Sequence, residues 1–339
     1  MLEALAVAFH DPYVYGAVTL VVRSYWVLCT GAAVVALLPP RRGVNWFRYV
    51  DSWDSLFHPL GRPAWPSLTD DTLDSPESLS NAVIVSACRG KLADGQPSDA
   101  LGPLSDVFVP QKWFAHFYAV GCVSNALMMV LALWSGVGRV AVLLLGAFQV
   151  HVVRRLIETV WMMRYPEGAT MHVMAYAFGM SYYVVVPVTY VIASAQGDDV
   201  EDGGDRRWAN LGMVIFAAGS LIQWHAHYLL TRLGGMKNTG AHSKDERNAS
   251  LSKTVYAIPR GGLFELVSCP HYFGEAVIYL GLGMTCVGLG NQTSTIAWYP
   301  FVWVVANLAL AAQLTHRWYL AHFKTYSRLG RKAFIPFLY

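Results

Sequence analysis

The stretch TMHVMAYAFGMSYYVVVPVTYVIAS, Thr170–Ser194, runs for 25 residues without an Asp, Glu, Lys or Arg. About 20 residues of helix cross the hydrocarbon core of a bilayer, so this segment reads by itself as a membrane span. Working outward, comparable apolar stretches lie at roughly 13–38, 113–134, 139–163, 208–232, 263–290 and 296–320. Of the 339 residues, 55% are hydrophobic and 14% charged, against about a quarter charged in soluble domains. The pattern predicts an all-α, polytopic integral membrane protein with about seven transmembrane helices. Pro270 marks a candidate break within 263–290.

Arg41 and Arg42 follow the first span at once, and Arg48, Arg62, Arg89, Lys91 and Lys112 continue that segment. The positive-inside rule counts Lys and Arg, which puts 39–112 on the cytosolic side. Seven spans then place the acidic loop 195–207 (Asp198, Asp199, Glu201, Asp202, Asp205) outside. The basic loop 232–262 and the C-terminus, with Lys324, Arg328, Arg331 and Lys332, fall inside. The N-terminus is accordingly expected in the lumen and the C-terminus in the cytosol. Glu3 stands where a cleavable signal needs a basic residue, and the first span is too long for one. The five cysteines show no CxxC spacing, so neither a disulfide framework nor a metal site is expected. A formal charge of +3 is too small and dispersed to suggest nucleic acid. The chain divides into 1–111, one span plus an irregular, proline-rich cytosolic or interfacial loop, and 112–339, a compact helical bundle.

Ionisable residues within a span are costly and mark candidate sites. The third span carries His151, Arg154, Arg155 and Glu158. At 100° per residue, His151, Arg155 and Glu158 fall within about 60° of one another, so a base, a cation and a carboxylate share one face. A buried Arg–Glu pair pinning helices is the structural alternative. A neighbouring His favours a catalytic set able to donate to a developing oxyanion. His172 and Tyr176, four apart, and His116 and Tyr118 are candidates to line a substrate channel, or are satisfied interface groups. Gln223 and His227 share a helix face and suit a cofactor's amide or ribose, or serve as interhelical hydrogen bonds. His225 and His227 point to different faces and make a poor metal pair.

No GxGxxG opens a helix after a strand, so a Rossmann domain is not supported. Phosphate partners are available instead in Arg232, Lys237, Lys244, Arg247, Lys253 and Arg260, followed by Gly261-Gly262. Paired glycines allow close backbone approach and a guanidinium binds phosphate bidentately. The same basic loop also fits contact with anionic lipid.

Three blocks occur in order towards the C-terminus. They are Tyr256-x-Ile258-Pro259-x-Gly261-Gly262-Leu263-Phe264, then Val267-Ser268-x-x-His271-Tyr272-Phe273-Gly274-Glu275, and finally His316-Arg317-Trp318-Tyr319 with Arg331-Lys332-Ala333-Phe334-Ile335-Pro336-Phe337. Together they resemble the steroid 5α-reductase family over about residues 112–339. The resemblance implies a membrane enzyme that uses NADPH to reduce a carbon–carbon double bond conjugated to a carbonyl, with its cofactor pocket opening to the cytosol. It implies cofactor contacts at Tyr256, Arg260, Gly262, Phe264, His271, Glu275, Arg317 and Tyr319, besides Gln223 and His227. Val109-Pro110-Gln111-Lys112-Trp113-Phe114-Ala115-His116-Phe117-Tyr118 and Arg154-Arg155-Leu156-Ile157-Glu158 resemble the polyprenol-reductase branch, which implies a long polyprenoid substrate, endoplasmic-reticulum residence and a part in supplying dolichol for glycosylation.

Hydride addition needs a carbon made electrophilic by conjugation. An allylic alcohol lacks that sink and the aldehyde has it, so polyprenal is the expected direct substrate. His151 or Arg155 would stabilise the aldehyde oxygen as an enolate, with Glu158 orienting Arg155 or feeding the proton. Steroid or enoyl-CoA reduction on the same fold, an isoprenylcysteine-methyltransferase-like enzyme and a non-enzymatic lipid scaffold are the alternatives.

Overall fold

The computed structural model describes residues 11–37, 107–136, 138–163, 165, 169–195, 205–236, 257–289 and 295–339. Seven long helices account for most of them: α1 Pro12–Leu37, α2 Phe114–Ser135, α3 Arg139–Ile157, α4 Val173–Ala195, α5 Arg206–Met236, α6 Pro270–Leu289 and α7 Tyr299–His322. The strands β1 (Phe108–Pro110) and β2 (Thr170–His172) form an antiparallel pair, Phe108 opposite His172, in front of α2 and α4. Six of the helices are long and apolar enough to cross a membrane. In α5 that apolarity is lowered by Gln223, His225 and His227, and α5 lies antiparallel along α6. Val123, Leu127 and Val130 on α2, Val150, Val153 and Ile157 on α3, and Leu211, Val214 and Leu221 on α5 are all exposed. Large apolar side chains turned outward on successive helices are what a protein in lipid presents.

The predicted spans coincide with these helices except at 263–290. There the helix starts at Pro270, because Gly261 takes a left-handed φ of 92° and Gly262–Glu265 form a short 3-10 turn. Proline suits a first helical turn, where its missing N–H costs nothing. The segment 38–106, the predicted acidic loop's 196–204, and 237–256 lie outside the described residues.

Lipid offers no competing water, so backbone groups are satisfied internally. Pro187 within α4 removes the N–H that would serve the Tyr183 carbonyl. The Ser124 hydroxyl on α2 donates to that carbonyl at 2.8 Å. Asn125, fully buried, donates to the Leu145 carbonyl and to Gln149 Oε1 at 2.8 and 2.7 Å, tying α2 to α3. Tyr15 donates to the Ile192 carbonyl and Trp26 to Thr189 Oγ1, which holds α1 antiparallel to α4.

The α5–α6 contact is closer still. A Cβ on Gly281 would sit 2.5 Å from the Gly212 carbonyl oxygen, and one on Gly288 would sit 2.5 Å from Ala209 N. Gly274 meets Gln223 and Gly219 meets Ile278 in the same way. Gly274, Gly281 and Gly288 recur every seven residues, as do Gly212 and Gly219, so the two backbones touch along a seam of small residues. The alternation of helices brings the ends of α1, α3, α5 and α7 to the same face as the starts of α2, α4 and α6. The candidate residues gather at that face.

Candidate active site

Helix α3 closes in a π-helical turn, Glu158–Met162, with Met163 N donating to the Glu158 carbonyl at 2.9 Å. Wide turns of this kind are rare and concentrate at functional sites. Glu158 stands at its start, 1% exposed. One carboxylate oxygen accepts from Arg154 Nη1. The other lies 2.5 Å from Arg155 Nη1 and 2.7 Å from His227 Nδ1 on α5. His227 Nδ1 is also 2.8 Å from Arg155 Nη1. A single ring nitrogen cannot both accept from the arginine and donate to the carboxylate. Donation to the charged oxygen is the stronger bond, and it leaves Nε2 as an acceptor.

From there the network continues into α6. Arg154 Nη2 donates to Gln223 Oε1 at 2.5 Å, and the Gln223 amide donates to Glu275 Oε2. His151 Nε2 lies 3.3 Å from Glu275 Oε1, and His151 Nδ1 lies 3.3 Å from Arg154 Nη2. His271 packs its ring 5.5 Å from that of His227. Arg154 and Arg155 against Glu158 and Glu275 sum to zero formal charge, which permits four ionised groups within the bundle. The structure therefore joins the expected catalytic trio His151, Arg155 and Glu158 to the expected cofactor residues Gln223, His227, His271 and Glu275 in one cluster.

Tyr118 on α2 belongs to it too. Its oxygen accepts from Arg155 Nη2 at 2.8 Å, and the guanidinium lies 4.9 Å from the ring centre. The other three expected channel residues stand apart. His116 is exposed and bonds Tyr176 through Nδ1 at 2.9 Å. His172 is buried and its Nδ1 accepts from Met174 N at 3.1 Å, capping the start of α4.

The loop before α6 and the C-terminal tail form a second unit on the same face. Ser268 N donates to the Lys332 carbonyl and Lys332 N to the Leu266 carbonyl, at 2.8 and 2.9 Å. The Ser268 hydroxyl lies 2.7 Å from both His316 Nδ1 and Tyr326 Oη. Tyr319 stacks on Tyr326 with centroids 4.9 Å apart. Arg331 is buried and donates to the Pro259 carbonyl at 2.8 Å and to Glu265 at 3.3 Å. Arg260 is exposed and reaches the same carboxylate at 3.7 Å. Phe264 is buried, Gly262 exposed with φ 52°, and Arg317 exposed. Tyr256 lies outside the described residues.

The Gly261 N–H, 2.7 Å from Glu265 Oε1, is the main cause that holds the Glu265 carboxyl below its ordinary value of 4.5, with Arg331 and Arg260 adding to it. Burial pushes the Tyr326 phenol up, and its hydrogen bond to Ser268 offsets part of that rise. A carboxyl depressed in the folded state contributes stability above its unfolded value, and loses that contribution as pH falls through the folded value. The tail is therefore expected to become more protease-sensitive as pH drops below 4.5. Glu265→Gln should be sensitive already at neutral pH and show a flatter pH profile, as read by limited proteolysis.

Sequence reasoning left Arg154, Arg331 and Ser268 out of the site. Arg154 was legible only as a neighbour of the trio's face, about 100° from Arg155. Arg331 and Ser268 lie inside the quoted blocks, but their partners are chosen by tertiary contact.

Residues 169–339 match the family described as 3-oxo-5-alpha-steroid 4-dehydrogenase. This chain belongs to that family. The chain is accordingly a multi-pass membrane oxidoreductase that acts on a carbon–carbon double bond. It is 32% identical to polyprenal reductase 1 of Arabidopsis thaliana across 77% of this chain and 89% of that protein. Polyprenal reductase of Danio rerio is 29% identical across 67% and 79%, and that of Caenorhabditis elegans 28% across 74% and 85%.

Proposed function

We propose that this family member reduces the α-isoprene double bond of a long-chain polyprenal, giving dolichal, with NADPH as reductant. The observation that carries the reading is the cluster of Arg154, Arg155, Glu158, His227, Gln223 and Glu275, four of them formally charged, inside the helical bundle. Positioned N–H donors in a low-dielectric site are what a developing enolate oxygen requires. The relatives' names supply the substrate class.

The residues fit a dinucleotide. His271 Nδ1 is buried without a hydrogen-bond partner among the described residues, and Arg260 and Arg317 are exposed on the same face. His271, Gln223, Glu275 and Tyr319 would hold the nicotinamide half, and Arg260, Gly262, Phe264 and Arg317 the remainder. NADPH, when bound, supplies the hydride that C3 of the enal receives. Arg154 or Arg155 then stabilises the aldehyde oxygen as charge moves onto it, while Glu158, itself held by His227, fixes the guanidinium groups in place. Tyr118, whose oxygen accepts from Arg155, keeps its own O–H for return of a proton to C2. His151 orients Glu275. The conjugated aldehyde, not the allylic alcohol, is the substrate because it alone has the electron sink.

The same reading sets the protein in the endoplasmic reticulum with its N-terminus lumenal, the site face cytosolic, and its product feeding protein N-glycosylation. It takes 112–339 as the reductase bundle and 1–111 as an added span and loop. The test is NADPH oxidation by detergent-purified protein with polyprenal, polyprenol and testosterone in parallel. Turnover of polyprenal, lost in Tyr319→Phe or Arg155→Met, is expected. Turnover of testosterone alone would assign a steroid substrate, and consumption of the alcohol alone would overturn the aldehyde route. Silence with all three and binding of S-adenosylmethionine would overturn the reductase reading.

A further inference from the structure

Between α3 and α5, on the outward flank of the bundle, lies a groove of about 430 Å³. That is within the range of pockets that hold small organic ligands, roughly 300–1,000 Å³. Its walls are Val150, Val153, Ile157, Met162 and Trp224. Val150, Val153, Ile157 and Trp224 are all exposed, at 39–64%, so the groove is open to the surrounding hydrocarbon. At its inner side stand Gln149, Arg154 and Glu158. Arg154 is the hinge between the two environments. Its Nη1 and Nη2 serve Glu158 and Gln223, its side chain is 20% exposed, and its Nε–H is buried without a partner among the described residues.

An apolar trough open to lipid and ending at an arginine with an unused donor matches one kind of molecule. That molecule is a long hydrocarbon chain with an oxygen at one end. A soluble thioester or nucleotide would bring several anionic groups against five apolar walls, at a desolvation cost the groove does not compensate. A compact ring system would leave most of the open side unfilled. We infer that the α3–α5 groove is a lateral binding site for the isoprenoid chain of the substrate, guiding its oxygen-bearing head from the bilayer to Arg154. The inference rests on the proposed polyprenal reading for the identity of the chain and goes beyond it in assigning where that chain lies.

Val153→Trp and Val150→Trp fill the groove from outward-facing positions that leave the core and the polar cluster untouched. Overfilling a fitted apolar site raises KM for a long-chain polyprenal about tenfold or more, while a short enal of two isoprene units, which does not need the groove, changes less than about twofold. Equal kinetics for both chain lengths in both variants would overturn the assignment. A polyprenal analogue carrying a photoreactive diazirine in its second or third isoprene unit supplies the separate readout. Labelling of the peptides spanning 150–162 and Trp224, lost in Val153→Trp, supports the groove. Labelling confined to another interhelical cleft, or no labelling at all, overturns it. Groove labelling by wild-type protein that reduces no enal would leave the binding site standing and sink the reductase reading instead.

Discussion

Glu158→Gln is expected to abolish turnover and to destabilise the bundle by about 3–5 kcal/mol, the usual cost of stripping one partner from a buried ion pair. The neutral amide keeps the shape of the carboxylate but leaves Arg154 and Arg155 facing each other with Glu275 as the one remaining countercharge. Thermal unfolding in detergent reads the stability loss. Catalysis and stability separate in a second variant. Arg155→Met with Glu158→Leu removes one charge of each sign and leaves Arg154 balanced by Glu275. Replacement of a buried pair by apolar residues of similar volume is often neutral or stabilising, so the double variant should melt near the wild-type temperature while remaining inactive. Recovery of activity along with stability would show that Arg155 and Glu158 are merely structural. Failure of the double variant to regain stability would show that the four charges do not balance as a set.

Gly281→Leu is the other large effect, and it acts far from the chemistry. Even a methyl group there would press to 2.5 Å from the Gly212 carbonyl and Phe216 N, which are backbone atoms that cannot rotate away. The helices α5 and α6 must separate, and Gln223 and Glu275 lie on opposite sides of that seam. Overpacking costs about 1–3 kcal/mol in cores that can adjust, and this seam has less room to adjust. Gly281→Ala should therefore lower stability by about 3 kcal/mol or more, and Gly281→Leu should prevent recovery of folded protein. A Cβ on Gly146 in α3, by contrast, would meet nothing within 4 Å. Gly146→Ala should be neutral or stabilising by up to about 1 kcal/mol, from helix propensity alone. Equal losses at both glycines would refute the close-contact account.

The spans were legible because the bilayer imposes one length and one composition on any helix that crosses it. The shared face of His151, Arg155 and Glu158 was legible because helical period converts sequence spacing into angle. For the same reason Gln223 and His227 could be paired in advance. The seven-residue recurrence of Gly274, Gly281 and Gly288 stood in the sequence as well, but a glycine repeat acquires meaning only when a second helix shows the matching Gly212 and Gly219.

Sequence alone determined that the chain is a polytopic helical membrane protein, which side chains share a helix face, and which reductase blocks it carries. Those are consequences of local period, hydropathy and motif, each contained within a few turns. Tertiary structure decided which face meets which. It set Glu275 beside His151 and Gln223, tied Arg331 to the Pro259 carbonyl and Glu265, and turned Arg154 towards a groove open to lipid. Such pairings join residues up to 124 positions apart. They depend on crossing and depth of separate helices, and no period within one helix encodes those.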